Sequence, residues 1–236
     1  MLEELKNQVY RANMSLKENN LIILTWGNVS GIDASRKYVA IKPSGVDYPE
    51  LSPEKMVIVD IEGNVVEGDL KPSSDTPTHL ELYKAFPDIG GVCHTHSLYA
   101  TSYAQQSRDI AAFGTTHADY FDGTIPCTRA MKKEEIEADY EKNTGLVIAE
   151  KLNELRLTPK QMPAILVSSH GPFTWGKNAA AAAEMSLVLE NVAHLAFNTQ
   201  LLHNACVSSS AAAMPNELLR KHFDRKHGAN AYYGQK

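Results

Sequence analysis

His94 and His96 are separated by one residue, with Asp75 upstream and His170, followed by Gly171, downstream. Imidazole is the commonest metal-ligating side chain, and three such nitrogens beside a carboxylate or an open position describe a catalytic zinc site. Two histidines at this spacing act as a pair only in extended chain, where alternate side chains share a face. The run Ile89-Gly90-Gly91-Val92-Cys93 leads into them and predicts a strand, with Val92 on their face. Asp75 and His170 are read as standing at strand-to-helix transitions, where sites are commonly built. An isolated His-x-His also suits the plain lining of a cleft; the joint set is what argues for a metal.

The elements that position these residues follow from periodicity. Leu5, Val9, Ala12 and Leu16 recur at helical spacing and predict an opening helix to about Asn19. Leu21-Ile22-Ile23-Leu24 reads as a short buried strand ending at Gly27-Asn28, and Tyr38-Val39-Ala40-Ile41 as a second, broken by Pro43-Ser44-Gly45. Met56 to Ile61 and Val65-Val66 flank Glu62-Gly63-Asn64, a hairpin signal. Asp75-Thr76-Pro77 opens a helix, since an acidic cap followed by proline suits a first turn. Further helices are expected over about 143–155, over 178–203 (Ala- and Leu-rich, as a buried helix should be) and over 214–226, with a strand at 164–167. Irregular alternation, with no repeat or linker, points to one α/β domain.

Three loops carry chemistry suited to an anion. Ser73-Ser74 precede the helix opened by Asp75, where free N–H groups and the helix dipole attract negative charge. Ser44-Gly45 follow Lys42 at a strand end, and Gly27-Asn28 end a strand in the same way. Each alone equally fits an ordinary turn or cap.

Composition excludes several classes. The 236 residues carry a net charge of −5, 43% hydrophobic and 22% charged residues, an ordinary globular balance with no footprint for nucleic acid. Cys93, Cys127 and Cys206 are odd in number and widely spaced, which argues against a disulfide framework. The first residues form a charged amphipathic helix and not a signal peptide, and no long apolar stretch could cross a membrane, so the chain reads as cytoplasmic.

Several strings resemble the L-ribulose-5-phosphate 4-epimerase family of the class II (zinc) aldolase group. They are Leu24-Thr25-Trp26-Gly27-Asn28-Val29-Ser30, Ile41-Lys42-Pro43-Ser44-Gly45-Val46, Lys71-Pro72-Ser73-Ser74-Asp75-Thr76, His94-Thr95-His96-Ser97, the stretch Gly114 to Phe121, Ser169-His170-Gly171-Pro172-Phe173, and the stretch Arg225 to Gln235. The resemblance spans essentially the whole chain. It implies one three-layer α/β/α catalytic domain over residues 1–236 with a central, largely antiparallel sheet. It implies a zinc ion, with manganese or cobalt as substitutes, held by Asp75, His94, His96 and His170. By the same carry-over the phosphate of a ketopentose substrate lies among Gly27, Asn28, Lys42, Ser44, Gly45, Ser73 and Ser74. Asp119 and Tyr233 become an acid/base pair, with Thr115, Glu141, His222 and Arg225 nearby. Family members are cyclic homotetramers with sites between subunits, so the tail from about 228, Tyr233 included, is expected to complete a neighbour's site. Ser168, Ser169 and Thr174 depart from the family pattern at positions without an assigned role.

The implied reaction interconverts L-ribulose 5-phosphate and D-xylulose 5-phosphate by breaking C3–C4, turning glycolaldehyde phosphate over and re-adding it. Without the resemblance, Asp119 reads as a cap or ion-pair partner and Tyr233 as a tail residue. Two rivals share the fold. Sugar-phosphate aldolases of the fuculose or rhamnulose type place a glutamate near the Asp75 position, and an adducin-like interaction module needs no ligand set at all.

Overall fold

The computed structural model describes residues 2–206, 211–229 and 231–233. Hydrogen-bonded antiparallel pairing joins seven strands, β1 (Asn28–Ile32), β2 (Tyr38–Ile41), β3 (Val57–Asp60), β4 (Val65–Glu67), β5 (Gly91–His94), β6 (Ala164–Leu166) and β7 (Pro172–Gly176). Their order across the sheet is β4-β3-β2-β1-β5-β7-β6. The predicted hairpin is present, with Val59 opposite Val65.

Both faces of the sheet are covered, which makes three layers. On one face α1 (Leu2–Glu18) lays Leu5, Val9, Ala12 and Leu16 against Val29, Ala40, Ile58 and Cys93. The other face carries α2 (Thr76–Ala85), α3 (Leu98–Gln105) and α6 (Tyr140–Glu154), which bury Leu82, Tyr83, Tyr103, Ile148 and Leu152 against Val92, Phe173 and Trp175. Short helices α4 (Thr115–Ala118) and α5 (Lys133–Glu137) lie in the long connection between α3 and α6, while α7 (Ala179–Cys206) and α8 (Asn216–His227) follow the sheet. Gly145 permits the close approach of α2 and α6: a Cβ there would lie 2.7 Å from the Glu81 Cβ and 3.0 Å from the Thr78 carbonyl oxygen.

Four expectations are corrected. Leu21 to Leu24 is a turn and not a strand; Leu24 has φ +55°, Trp26 N–H donates back to the Ile23 carbonyl, and only Leu21 and Ile22 are buried. The strand starts at Asn28, where Asn13 of α1 both accepts from the Val29 N–H and donates to its carbonyl, so Gly27-Asn28 enter a strand instead of ending one. His170 occupies the turn between β6 and β7 and no strand-to-helix junction. Finally, α7 is not buried along its whole length: burial runs as far as Ala196, while Leu195, Phe197, Leu201 and Leu202 are exposed. Cys93 and Cys127 are free buried thiols. Among the described residues no helix is long and apolar enough to cross a membrane.

Candidate metal centre and substrate cavity

Strand β5 ends at His94, and the chain stays extended long enough to return His96 to the same side. The turn after β6 brings His170 to them, and the three candidate ligand atoms lie within 4.8 Å of one another. The His94 Nδ1–H donates to the Pro172 carbonyl at 2.9 Å, which fixes the tautomer and leaves Nε2 as a lone pair. That nitrogen lies 3.1 Å from the Nε2 of His96. Burial lowers the pKa of His96 to about 4 and that of His170 to about 3, so both stay neutral at pH 7. Three imidazoles converging on one point fit a divalent metal of the zinc type.

Asp75 caps α2 without a side-chain bond to the helix; its carboxylate instead accepts from Asn28 Nδ2 at 2.6 Å. Burial opposes its ionisation, but His94, His79 and the Asn28 amide outweigh burial and hold its pKa below the ordinary carboxylate value. It lines the histidine cavity, and the mutually close ligand group itself consists of the three histidines.

This cavity, about 470 Å³, also receives every loop flagged for an anion. Two of those loops are laced together: Ser44 N–H donates to the Lys71 carbonyl and Ser73 N–H to the Lys42 carbonyl, around an antiparallel bridge between Pro43 and Pro72. Gly45 makes its turn at φ +68°. Gly27 needs to be glycine twice over, for its φ is +79° and a Cβ would meet the His94 carbonyl at 2.8 Å. Lys42 is 2% exposed, with its ammonium 5.0 Å from the centre of the Tyr48 ring. Burial lowers its pKa to about 8, against an opposing pull from Asp47. Asn28 Nδ2 is shared between Asp75 and Ser73, and its buried Oδ1 has no partner, so that oxygen suits a hydroxyl and not an anion.

The remaining expected residues gather elsewhere. Asp119 at the end of α4 accepts from His222 Nδ1 (3.0 Å), Arg225 Nε (3.0 Å) and Arg225 Nη2 (2.7 Å), all from α8. Burial pushes its carboxyl pKa up, but the Arg225 and His222 hydrogen bonds prevail and hold it low. The Arg225 guanidinium also lies 4.4 Å from the Tyr233 ring centre, and its carbonyl accepts from the Tyr232 and Tyr233 amides. Thr115 belongs to the same turn as Asp119. None of Thr115, Asp119, His222, Arg225 or Tyr233 lines the histidine cavity of its own chain, whereas Glu141 does. Trp26 and Tyr140 line it as well; Trp26 belongs to the Leu24–Ser30 stretch, and Tyr140 carries no sequence signal beyond its adjacency to Glu141.

Residues 7–197 match the Class II Aldolase and Adducin N-terminal domain model, and the chain belongs to that family. Among solved structures it is similar to an L-fuculose 1-phosphate aldolase, with 26% identity, a TM-score of 0.74, and coverage of 94% of this chain and 95% of that one. An L-fuculose-1-phosphate aldolase from Thermus thermophilus shares the fold at 23% identity and TM-score 0.68, covering 87% of this chain and all (100%) of the other. So does YgbL from Klebsiella pneumoniae, described as an aldolase, epimerase or decarboxylase, at 21% identity and TM-score 0.72, covering 94% of this chain and 98% of that one.

Proposed function

We propose that this chain is an L-ribulose-5-phosphate 4-epimerase that interconverts L-ribulose 5-phosphate and D-xylulose 5-phosphate, a cytoplasmic enzyme working as a homotetramer with zinc, or manganese or cobalt in its place. The observation that carries the reading is the single cavity that unites three converging histidines, Asp75 and two laced, glycine- and serine-bearing loops. The whole chain then serves as one catalytic domain, with the tail from about Gly228 completing a neighbour's site.

The hydrogen on C4 of a 2-ketose is too far from the carbonyl to be acidic, so inversion at C4 calls for cleavage of C3–C4. A divalent metal held by His94, His96 and His170, with Asp75 alongside, supplies Lewis-acid stabilisation of the charge that develops on the ketose fragment. The loops at Ser44-Gly45 and Ser73-Ser74, with Lys42 behind them, hold the phosphate of glycolaldehyde phosphate while its carbonyl turns over. The C4 oxygen points two ways in the two epimers, so it needs proton exchange from two sides. A carboxylate and a phenol of the neighbouring chain, Asp119 and Tyr233, fill those roles, and Arg225 holds both where they can be presented together.

A second reading, a class II sugar-phosphate aldolase, draws on the 26% identity to an L-fuculose 1-phosphate aldolase. The two differ in where phosphate sits: on the aldehyde fragment of a ketose 5-phosphate, on the ketone fragment of a ketose 1-phosphate. Asp75, where the aldolases are expected to carry glutamate, and the Tyr232-Tyr233 tail favour the epimerase. The test measures interconversion of the two pentulose 5-phosphates before and after chelation, alongside cleavage of a ketose 1-phosphate. Chelator-sensitive interconversion supports the epimerase; cleavage of the 1-phosphate alone overturns it.

A further inference from the structure

Tyr140 opens α6 and places its hydroxyl 3.2 Å from Nδ1 of His170, on the wall of the histidine cavity. Its place is built and not incidental. Gly145, one turn on, lets α6 close onto α2, and the Thr78 hydroxyl donates to the Glu141 carbonyl, pinning the first turn of α6 to α2. From the other side Asn143 Nδ2 donates to the Glu135 carbonyl of α5, and Arg129 ties Glu135 to Glu150 of α6. The first turn of α6 is thus fixed on two sides.

We infer that Tyr140 is a positioning residue for His170, its phenol oxygen accepting the Nδ1–H so that Nε2 is the nitrogen turned to the metal point. His94 offers the parallel, because its Nδ1–H is held by the Pro172 carbonyl. A ligating imidazole needs its second nitrogen held by such a partner, or both the tautomer and the ring orientation drift. The inference rests on the three-histidine metal reading given above.

Tyr140→Phe removes one hydroxyl and keeps the ring. Chelator competition should show metal affinity lower by about 10–100-fold in the variant. The visible spectrum of the cobalt-loaded protein should shift, while the thermal midpoint of the metal-free form stays close to wild type. A ¹⁵N spectrum of the zinc-loaded wild-type protein reads the tautomer with no substitution, and His170 should carry its proton on Nδ1. A proton on Nε2, or equal affinity and superimposable cobalt spectra in the two proteins, overturns the inference. A wild-type protein that takes up no metal overturns the metal reading itself, so the two failures are distinct.

Discussion

Lys42 places an ammonium behind the laced loops, where burial has already brought its pKa down to about 8. A lysine is charged below its pKa and neutral above it, so attraction for a phosphate should be complete near pH 6.5 and fade as the pH rises through about 8. KM for a pentulose 5-phosphate should therefore climb between pH 7.5 and 9.5, and Lys42→Met should start from a high KM and lose that climb. An equally steep climb in the variant assigns the effect to another group. Tyr233 gives a second prediction. Tyr233→Phe keeps the ring stacked on Arg225 and removes the phenolic proton, so epimerisation should fall by about 10²–10⁴-fold with little change in stability. Oligomers mixed from His96→Ala and Tyr233→Phe chains should regain part of it, because the intact histidines of one chain can then meet the intact tyrosine of its neighbour. No loss in the single variant removes Tyr233 from the mechanism. At this scale the histidines were legible because strand alternation made their spacing informative. Tyr140 was not, because an aromatic residue in the first turn of a helix is ordinary until the fold sets it against His170.

The entry to β1 shows how an element sets a ligand's place. Gly27 turns the chain at φ +79°, directly over the His94 carbonyl. Gly27→Ala should cost about 1–3 kcal/mol through backbone strain and the crowded Cβ, read as a lower urea midpoint. Because the carbonyl pressed is that of His94, metal affinity should drop as well; an unchanged midpoint and affinity would show that the turn relaxes freely. Regular elements with strong periodicity, α1 and the β3–β4 hairpin, were visible in the residues alone. The misread one, Leu21 to Leu24, is an apolar run that resembles a buried strand. Tertiary context decides otherwise, because Asn13 captures Val29 and starts pairing beyond the run. Neither β7 nor the short helices α3 to α5 left a clear period, being brief and held by partners distant in sequence.

Across the molecule, buried neutral histidines set the response to acid. His117 of α4 donates from Nε2 to the Gly123 carbonyl, and burial lowers its pKa to about 4; His79 of α2, wholly buried beside Ser30, is lowered to about 3. An unfolded chain protonates both near pH 6.5, so between that value and about 4 it binds more protons than the folded one. Stability should be fully present above pH 6.5 and decline on acidification, with the urea midpoint falling steadily from pH 7 to 4.5. His117→Gln should flatten part of that slope, and an unaltered slope would exclude His117 as a source. The layered architecture itself was readable from pattern and resemblance together, whereas the division of the expected site into a cavity and a separate Asp119–Arg225–Tyr233 group appears only in three dimensions. The far half of α7 carries a consequence for the time course of folding. Leu195 (54% exposed), Leu201 (57%) and Leu202 (68%) form apolar surface that no other described residue of the chain covers. In the proposed tetramer the sheet and the near half of α7 can form within one chain, at a rate indifferent to dilution. Covering the far half is then a bimolecular event, so the last phase of refolding should quicken in proportion to protein concentration while the earlier ones do not.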